Sequence, residues 1–350
     1  MIYEDFYNKI KSLENPKVAI FTHRCPDPDA MASMMGVAWI LKKIFGTEPD
    51  LFYSGEISHP QNGVMLNLLN PDSLKKLDDS FDSKNYNLFI LVDTVPENAG
   101  SNSFNLNFDI VIDHHRETPV NFDGVLIHKK VGACASIVYD MMINLVDKNN
   151  WLDEDSDSDQ KLATALIAAI VTDTEYLMSD DSTENEFKAF SELFPFRNSN
   201  LLKQIVFFKR PKFWIDKKAL GSSEAEITDD GYAIVGLGII PEKHRDLIAD
   251  MAEEMIHWTS VETAIAFGVV GGDRIEGSVR SLNPSLTVSD FCKKLGGKYG
   301  SGGGKHGKGA YRLILGGMSI DPDEEEEDVE EFYKSMDKRE IKRIMRTIKK

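Results

Sequence analysis

Side chains able to hold a metal ion recur at the ends of consecutive apolar runs, and that placement restricts the fold of this chain more than any other feature. His23 ends VAIFTH, with Asp27 and Asp29 in the loop after it; Asp93 ends NLFILVD; Asp113-His114-His115 closes FDIVIDHH; and Asp173 ends a later apolar helix pattern. Continuous Val/Ile/Leu runs separated by helical patterns predict a doubly wound parallel α/β sheet covered on both faces. Ligands of such sheets bind beyond the carboxyl ends of the strands, where these residues fall. Six or seven oxygen and imidazole ligands delivered there predict a two-metal site for phosphoryl chemistry.

A length of 350 residues suffices for two domains with separate cores. The apolar runs are too short and interrupted to span a bilayer, and MIYEDFYNKIKSLENPK has no continuous apolar segment of a secretory signal. A cytoplasmic protein with no membrane partner is therefore expected. Cys25, Cys134 and Cys292 are too scattered for a disulfide framework or a structural zinc site. A net charge of -17 argues against duplex DNA as partner, whereas bound divalent cations would invert the local field for a small phosphorylated substrate.

The pattern divides the chain into a metal-binding domain over 1–195, a helical connector over 196–220, a smaller α/β substrate-binding domain over 221–320 and a charged tail over 321–350. Strands of the second domain are expected near YAIVGLGII, TAIAFGVV, RIEGSVR and YRLIL, with GGKYGSGGGKHGKGA as a glycine-rich loop. WLDEDSDSDQ lacks the glycine of an EF-hand loop and reads as a solvated, helix-capping segment. Asp321 to Glu331 holds nine acidic residues, and beyond it Ile341, Ile344, Met345 and Ile348 share one helical face. Docking on the parent body and contact with a partner both fit that face, and the tail is expected to be dispensable for chemistry. A homodimer is also compatible with the sequence.

Prolines 26 and 28 push the residues before them out of helical backbone, so Asp27 is expected on an extended turn into a helix after Asp29. Carboxylates two apart on extended backbone serve neighbouring metals more readily than one metal. Consecutive His114 and His115 point to opposite sides, so one can ligate while the other faces substrate. Asp93 sits where a carboxylate could bridge. A mixed imidazole and carboxylate set suits manganese, iron, zinc or cobalt; two divalent ions, manganese first among the candidates, are expected.

In this order HRCPDPDA, LVDT, VIDHHRE and VTDTEY resemble the four motifs of the DHH phosphoesterases, over roughly residues 16–180. EGSVRSLNPSLTVSDFCKKLGGKYGSGGGKHGKGA resembles their DHH-associated substrate domain, and the arrangement is most similar to the short-oligoribonuclease and 3'-phosphoadenosine 5'-phosphate phosphatase branch. The resemblance implies that His23, Asp27 and Asp93 hold one metal and that Asp29, Asp93, His114 and Asp173 hold the other. Asp113 would orient the histidines, and His115 would contact substrate phosphate or assist the leaving group. In the second domain Arg280 would supply a planar fork for phosphate, with Ser281, the amides of Gly302, Gly303 and Gly304, and His306 beside it. The implied activity is hydrolysis of short oligonucleotides or small phosphorylated nucleotides. The alternatives are a cyclic or linear dinucleotide phosphodiesterase and a non-catalytic nucleotide sensor or adaptor. Glu175 stands where the family has glycine, Lys305 stands at the fourth loop glycine, and Tyr311 stands where a small residue is common.

Overall fold

In the computed structural model, which describes residues 3–69, 74–115, 122–305, 307–316 and 326–349, the apolar runs of the first unit (Met1–Lys209) form one parallel sheet. The unit runs α1 (Glu4–Lys11), β1 (Val18–Arg24), α2 (Pro28–Phe45), β2 (Asp50–Ser54), α3 (Pro60–Leu69), β3 (Leu74–Lys76), β4 (Leu88–Val92), β5 (Ile110–Asp113), β6 (Val125–His128), α4 (Cys134–Leu145), α5 (Asp157–Asp173), α6 (Glu184–Leu193) and α7 (Ser199–Val206). The sheet order β3-β2-β1-β4-β5-β6 reverses winding between β1 and β4. That reversal is the point at which α/β sheets leave a crevice for ligands, and His23 and Asp93 stand on its two sides.

Burial explains the strand sequences. Val18, Ala19, Ile20 and Phe21 of β1 and Ile90, Leu91 and Val92 of β4 are all inaccessible or nearly so, because layers cover both faces. α2, α4 and α5 pack a core of Met31, Met34, Val37, Ile137, Val138, Leu166 and Ile170 on one face. An aromatic cluster around Phe21, Phe52, Phe81 and Phe108 covers the other. In α2, Asp27 caps the first turn by accepting from the Ala30 amide at 3.0 Å, Pro28 opens the helix and Gly46 closes it at φ 66.

The second unit (Arg210–Lys350) runs α8 (Lys212–Glu224), β7 (Glu226–Ile227), β8 (Tyr232–Ile240), α9 (Leu247–Met255), β9 (Thr263–Val270), β10 (Arg274–Ser281), α10 (Val288–Gly296), β11 (Gly300–Lys305), β12 (Lys308–Ile314) and α11 (Glu326–Ile348). Its sheet, ordered β11-β12-β10-β9-β8-β7, is antiparallel except where β8 pairs with β9. The compact units part between Lys209 and Arg210. The stretch expected as a connector is therefore shared: α7 packs on α5 and α3, and α8 packs on β8 and α9.

Two expectations about the second unit are corrected. The glycine-rich segment is not a loop but the edge strand β11, paired with β12 from Gly300↔Leu313 to Lys305↔Lys308. The C-terminal segment is not a separate tail, because α11 lies against β8 and α10. It buries Tyr333 and Ile344 in the unit's core, with Met336, Ile341, Met345 and Ile348 packed alongside. Buried Glu340 accepts from the Tyr311 hydroxyl at 2.9 Å and from Arg343, whose guanidinium also reaches the Leu295 carbonyl at 2.7 Å. Tyr311, the bulky residue at a position where the resemblance expects a small one, thus anchors this helix. Among the described residues no helix is long and apolar enough to cross a membrane.

Candidate metal centre

His23, Asp27, Asp29, Asp93, His114, His115 and Asp173 converge at the carboxyl ends of β1, β4 and β5. Three groups of them place ligand atoms within 4.8 Å of one another: His23/Asp27/Asp93, Asp29/His114/Asp173 and Asp93/His114/His115. Asp93 belongs to two of the three. Its Oδ2 lies 3.6 Å from His23 Nε2 and its Oδ1 3.4 Å from His114 Nε2, so the two oxygens face opposite halves of the cluster. It reaches this position in the left-handed region at φ 57, which aspartate tolerates better than most residues.

Each histidine is fixed by an oxygen at Nδ1. His23 Nδ1 donates to the Arg24 carbonyl at 3.0 Å, His114 Nδ1 to the Val131 carbonyl at 3.0 Å, and His115 Nδ1 to Asp113 Oδ1 at 2.8 Å. A carbonyl or carboxylate can only accept, so in the neutral rings the proton sits on Nδ1 and Nε2 carries the lone pair. Asp113 therefore orients His115 alone. The expectation that it serves both histidines fails because the chain turns at Val131 and brings a backbone carbonyl to His114 first.

Asp29, in the first turn of α2, is buried against the start of α4, where its Oδ2 accepts from the Cys134 amide at 2.6 Å and its Oδ1 from the Ala135 amide at 2.8 Å. It supplies from a distant segment the cap that Ala133 cannot. Asp173 is the last residue of α5, followed by Glu175, Tyr176 and Leu177, all at positive φ (49, 62 and 67). The position where the resemblance expects glycine is thus one that glycine would occupy without strain, and Glu175 holds it at about 1–2 kcal/mol. Thr174 compensates locally, since its carbonyl accepts from the Ser179 amide at 2.9 Å and its hydroxyl from the Leu177 amide at 3.0 Å.

Like charges crowd this site. Burial and the charges of Asp93 and Asp173 push the Asp29 carboxyl well above its usual range. Desolvation, with Asp27 and Asp93, pushes Asp173 up to about 7, although 35% of its side chain is exposed. Against the cost of burial, His114 and His23 hold Asp93 well below the usual carboxylate range, and Asp93, Asp29 and Asp173 push His114 up to about 11. The two imidazoles thus serve as the cations of the cluster. Asp93 Oδ1 and Asp113 Oδ2 are nevertheless buried without a hydrogen-bond partner among the described residues, and such groups are ordinarily satisfied. The donor types, the presented Nε2 atoms, the crowded carboxylates and the orphaned Asp93 oxygen fit divalent first-row metals.

Two contributors escaped sequence reasoning. His128, at the end of β6, donates from Nε2 to the His115 carbonyl at 2.5 Å; its only signal is the end of a short apolar run, VLIH. The amides of Cys134 and Ala135 carry no side-chain signal at all.

In the second unit the expected substrate residues are mostly engaged by the protein itself. Arg280 Nε donates to Glu253 at 2.5 Å and Nη1 to the Ser278 hydroxyl at 2.9 Å, so the guanidinium does not present an open fork. The Ser281 hydroxyl pairs with Thr263 at 2.8 Å and accepts from the Asn283 amide at 3.2 Å. A methyl group on Gly302 would lie 2.0 Å from the Cys292 carbonyl, and one on Gly304 2.4 Å from the Lys308 carbonyl; only Gly303 has open space. Close approach by α10 and by the β11–β12 hairpin thus accounts for Gly302 and Gly304. Gly302 and Gly303 do line a cavity of about 610 Å³ with Arg245, Ser278 and Arg312. His306 lies outside the described residues.

Over 316 residues the chain is 29% identical to an uncharacterized protein of Methanocaldococcus jannaschii, a match covering 88% of this chain and 61% of that protein. A probable manganese-dependent inorganic pyrophosphatase of Lactiplantibacillus plantarum is 24% identical over 183 residues, 51% of this chain and 54% of that protein. The chain thus spans less than two thirds of the length of these relatives. In fold it is similar to the crystal structure of an exopolyphosphatase-related protein from Bacteroides fragilis, with a TM-score of 0.67 at 15% identity, covering 97% of this chain and 96% of that one. Residues 17–170, within the parallel-sheet unit, match the family model described as "DHH family, N-terminal domain".

Proposed function

We propose that this chain is a metal-dependent hydrolase of phosphoester or phosphoanhydride bonds, acting on small phosphorylated nucleotides or short oligonucleotides. The observation that carries the reading is Asp93, buried between two histidines with one oxygen toward each and one of those oxygens otherwise unsatisfied. His23, Asp27 and Asp93 would hold one ion, and Asp29, Asp93, His114 and Asp173 a second, with manganese favoured by the donor set and by the relatives named as manganese-dependent. The chemistry supplied by ions held there would be activation of water and charge stabilisation for a displacement at phosphorus.

The protein's own groups divide the remaining work. Asp113 holds the His115 ring through Nδ1, so that when the ring is protonated its Nε2–H, on a side chain 38% exposed, can meet a substrate phosphate or pass its proton to a leaving oxygen. The Val131 carbonyl and the α4 amides keep His114 and Asp29 from turning away. The similarity of half the chain to proteins named as pyrophosphatases favours inorganic pyrophosphate as a second reading. A turnover panel of 3'-phosphoadenosine 5'-phosphate, linear and cyclic dinucleotides and pyrophosphate, with and without manganese, tests both. Metal-dependent release of phosphate or mononucleotide from the nucleotide substrates is expected. Turnover of pyrophosphate alone favours the second reading, and full activity after exhaustive chelation would sink both.

A further inference from the structure

Glu186 belongs to none of the carboxylate and imidazole groups above, yet it is wholly buried and its two oxygens bind two separate segments. Oε2 accepts from the Thr183 amide and hydroxyl, each at 2.6 Å, which closes the capping box of α6. A glutamate at this helical position reaches back to the N-cap amide. Here Oε1 also accepts from the Gly132 amide at 3.1 Å and the Ser136 hydroxyl at 2.5 Å, in the turn that precedes and opens α4. Four donors thus offset the cost of burying one carboxylate.

That turn is where several parts of the metal centre meet. The Val131 carbonyl fixes His114, and the Cys134 and Ala135 amides fix both oxygens of Asp29. Gly132 packs so closely that a methyl group on it would lie 2.6 Å from the side chain of Thr174, the neighbour of Asp173, and 3.4 Å from Glu186 Cδ. No side chain of the turn bears a ligand itself, so the turn acts only by where it stands. Glu186 anchors it through the Gly132 amide and the Ser136 hydroxyl.

We propose that Glu186 is a positioning residue that holds the Asp29–His114–Asp173 half of the metal centre through the Val131–Ser136 turn, while the His23–Asp27 half is independent of it. The proposal rests on the metal reading given above. Glutamine at 186 cannot replace the carboxylate, because whichever way its amide turns, an NH2 group faces donors on one of the two segments.

The test measures manganese uptake by the metal-free full chain, following free Mn²⁺ by electron paramagnetic resonance, together with the melting temperature without metal. In Glu186→Gln one of two binding events is expected to weaken by about tenfold or more, the range for losing a group that orients a ligand, and the other to stay unchanged. Thr183→Ala, which loosens the same helix cap without touching Gly132 or Ser136, should lower the melting temperature and leave both events intact. Should Glu186→Gln fail to fold, Ser136→Ala, which removes one donor to Oε1, should weaken the same event by a few-fold. Unchanged uptake in the folded Glu186→Gln or in Ser136→Ala, or equal weakening in Thr183→Ala, would overturn the positioning role alone. A wild-type chain that takes up no manganese would overturn the metal reading and this inference with it.

Discussion

The two units treat their polar side chains in opposite ways. In the first, carboxylates crowd together, imidazoles act as their cations and an oxygen of Asp93 is buried without a hydrogen-bond partner among the described residues. In the second, Arg280 is answered by Glu253, Ser281 by Thr263 and Asn283, and two of the three glycines by the backbone they touch. A site that needs an outside cation is electrostatically unfinished without it, whereas a motif that completes its own bonds has less to offer a ligand. The contrast predicts where substitutions hurt chemistry and where they hurt the fold.

The largest effect is expected at Asp93. Asparagine keeps the shape and tolerates positive φ, yet removes the charge that faces both histidines. Asp93→Asn should lower metal-dependent kcat by about a thousandfold or more, since several kcal/mol of charge stabilisation would depend on the metal that Asp93 is proposed to hold. Metal content by mass spectrometry should fall with it. A variant that keeps both metal and rate would place the centre elsewhere.

Removal of the chain from Asp321 onward should show the opposite pattern. It withdraws Tyr333, Ile344 and the Glu340–Arg343 pair from the second unit, where each buried large side chain contributes about 1.5–3 kcal/mol. It would also remove the Glu340 partner of the Tyr311 hydroxyl and uncover that side chain. The second unit should become protease-sensitive while the first retains manganese uptake. A truncated chain with full protease resistance in both units would show that α11 is expendable.

Much of the first unit was legible because its signals are local. Apolar runs ending in Asp or His mark strands whose tips meet at one edge of the sheet, and Pro26 and Pro28 mark the helix start that Asp27 caps. β3, with Leu74-Lys75-Lys76, is too short and too polar to register as a strand. β11 was hidden by its glycines: Gly302 makes room for the Cys292 carbonyl of α10 and Gly304 for the Lys308 carbonyl, contacts that only the tertiary structure supplies. Glu186 follows Thr183 at capping-box spacing, so its helix-capping half was visible in principle; its reach to Gly132 was not. The apolar spacing of α11 was equally plain, but spacing does not say what covers a face.

Protons should compete with metal in the first unit. The folded pKa of His114, pushed up to about 11, lies above its ordinary 6.5. The stability it lends the metal-free protein is therefore complete below about 6.5 and is lost as pH rises through 11. Manganese needs the deprotonated ring, so affinity should rise with pH across the same window, and binding at neutral pH should release protons from His114. Calorimetric titrations in buffers of different ionisation enthalpy measure that release. Uptake with no buffer dependence would contradict the assignment of His114 as a ligand.

The smallest effect is expected at Arg280, and it bears directly on the contrast between the units. If the pair with Glu253 is only structural, Arg280→Ala should cost a little stability and leave kinetics alone. If the guanidinium turns to a phosphate when substrate arrives, Glu253 is its competitor, and the two substitutions should move KM in opposite directions. Side-chain exposures of 16% for Arg280 and 40% for Glu253 leave the acid free to swing into solvent, so the exchange needs no rebuilding of the sheet. Glu253→Gln should then lower KM by a few-fold and Arg280→Ala should raise it by a similar factor, with kcat nearly constant in both, as for an interaction made equally in ground and transition states. Unchanged KM in both variants on every substrate that turns over would remove Arg280 from the substrate's path and leave the second unit's contribution to Gly303 and the cavity beside it.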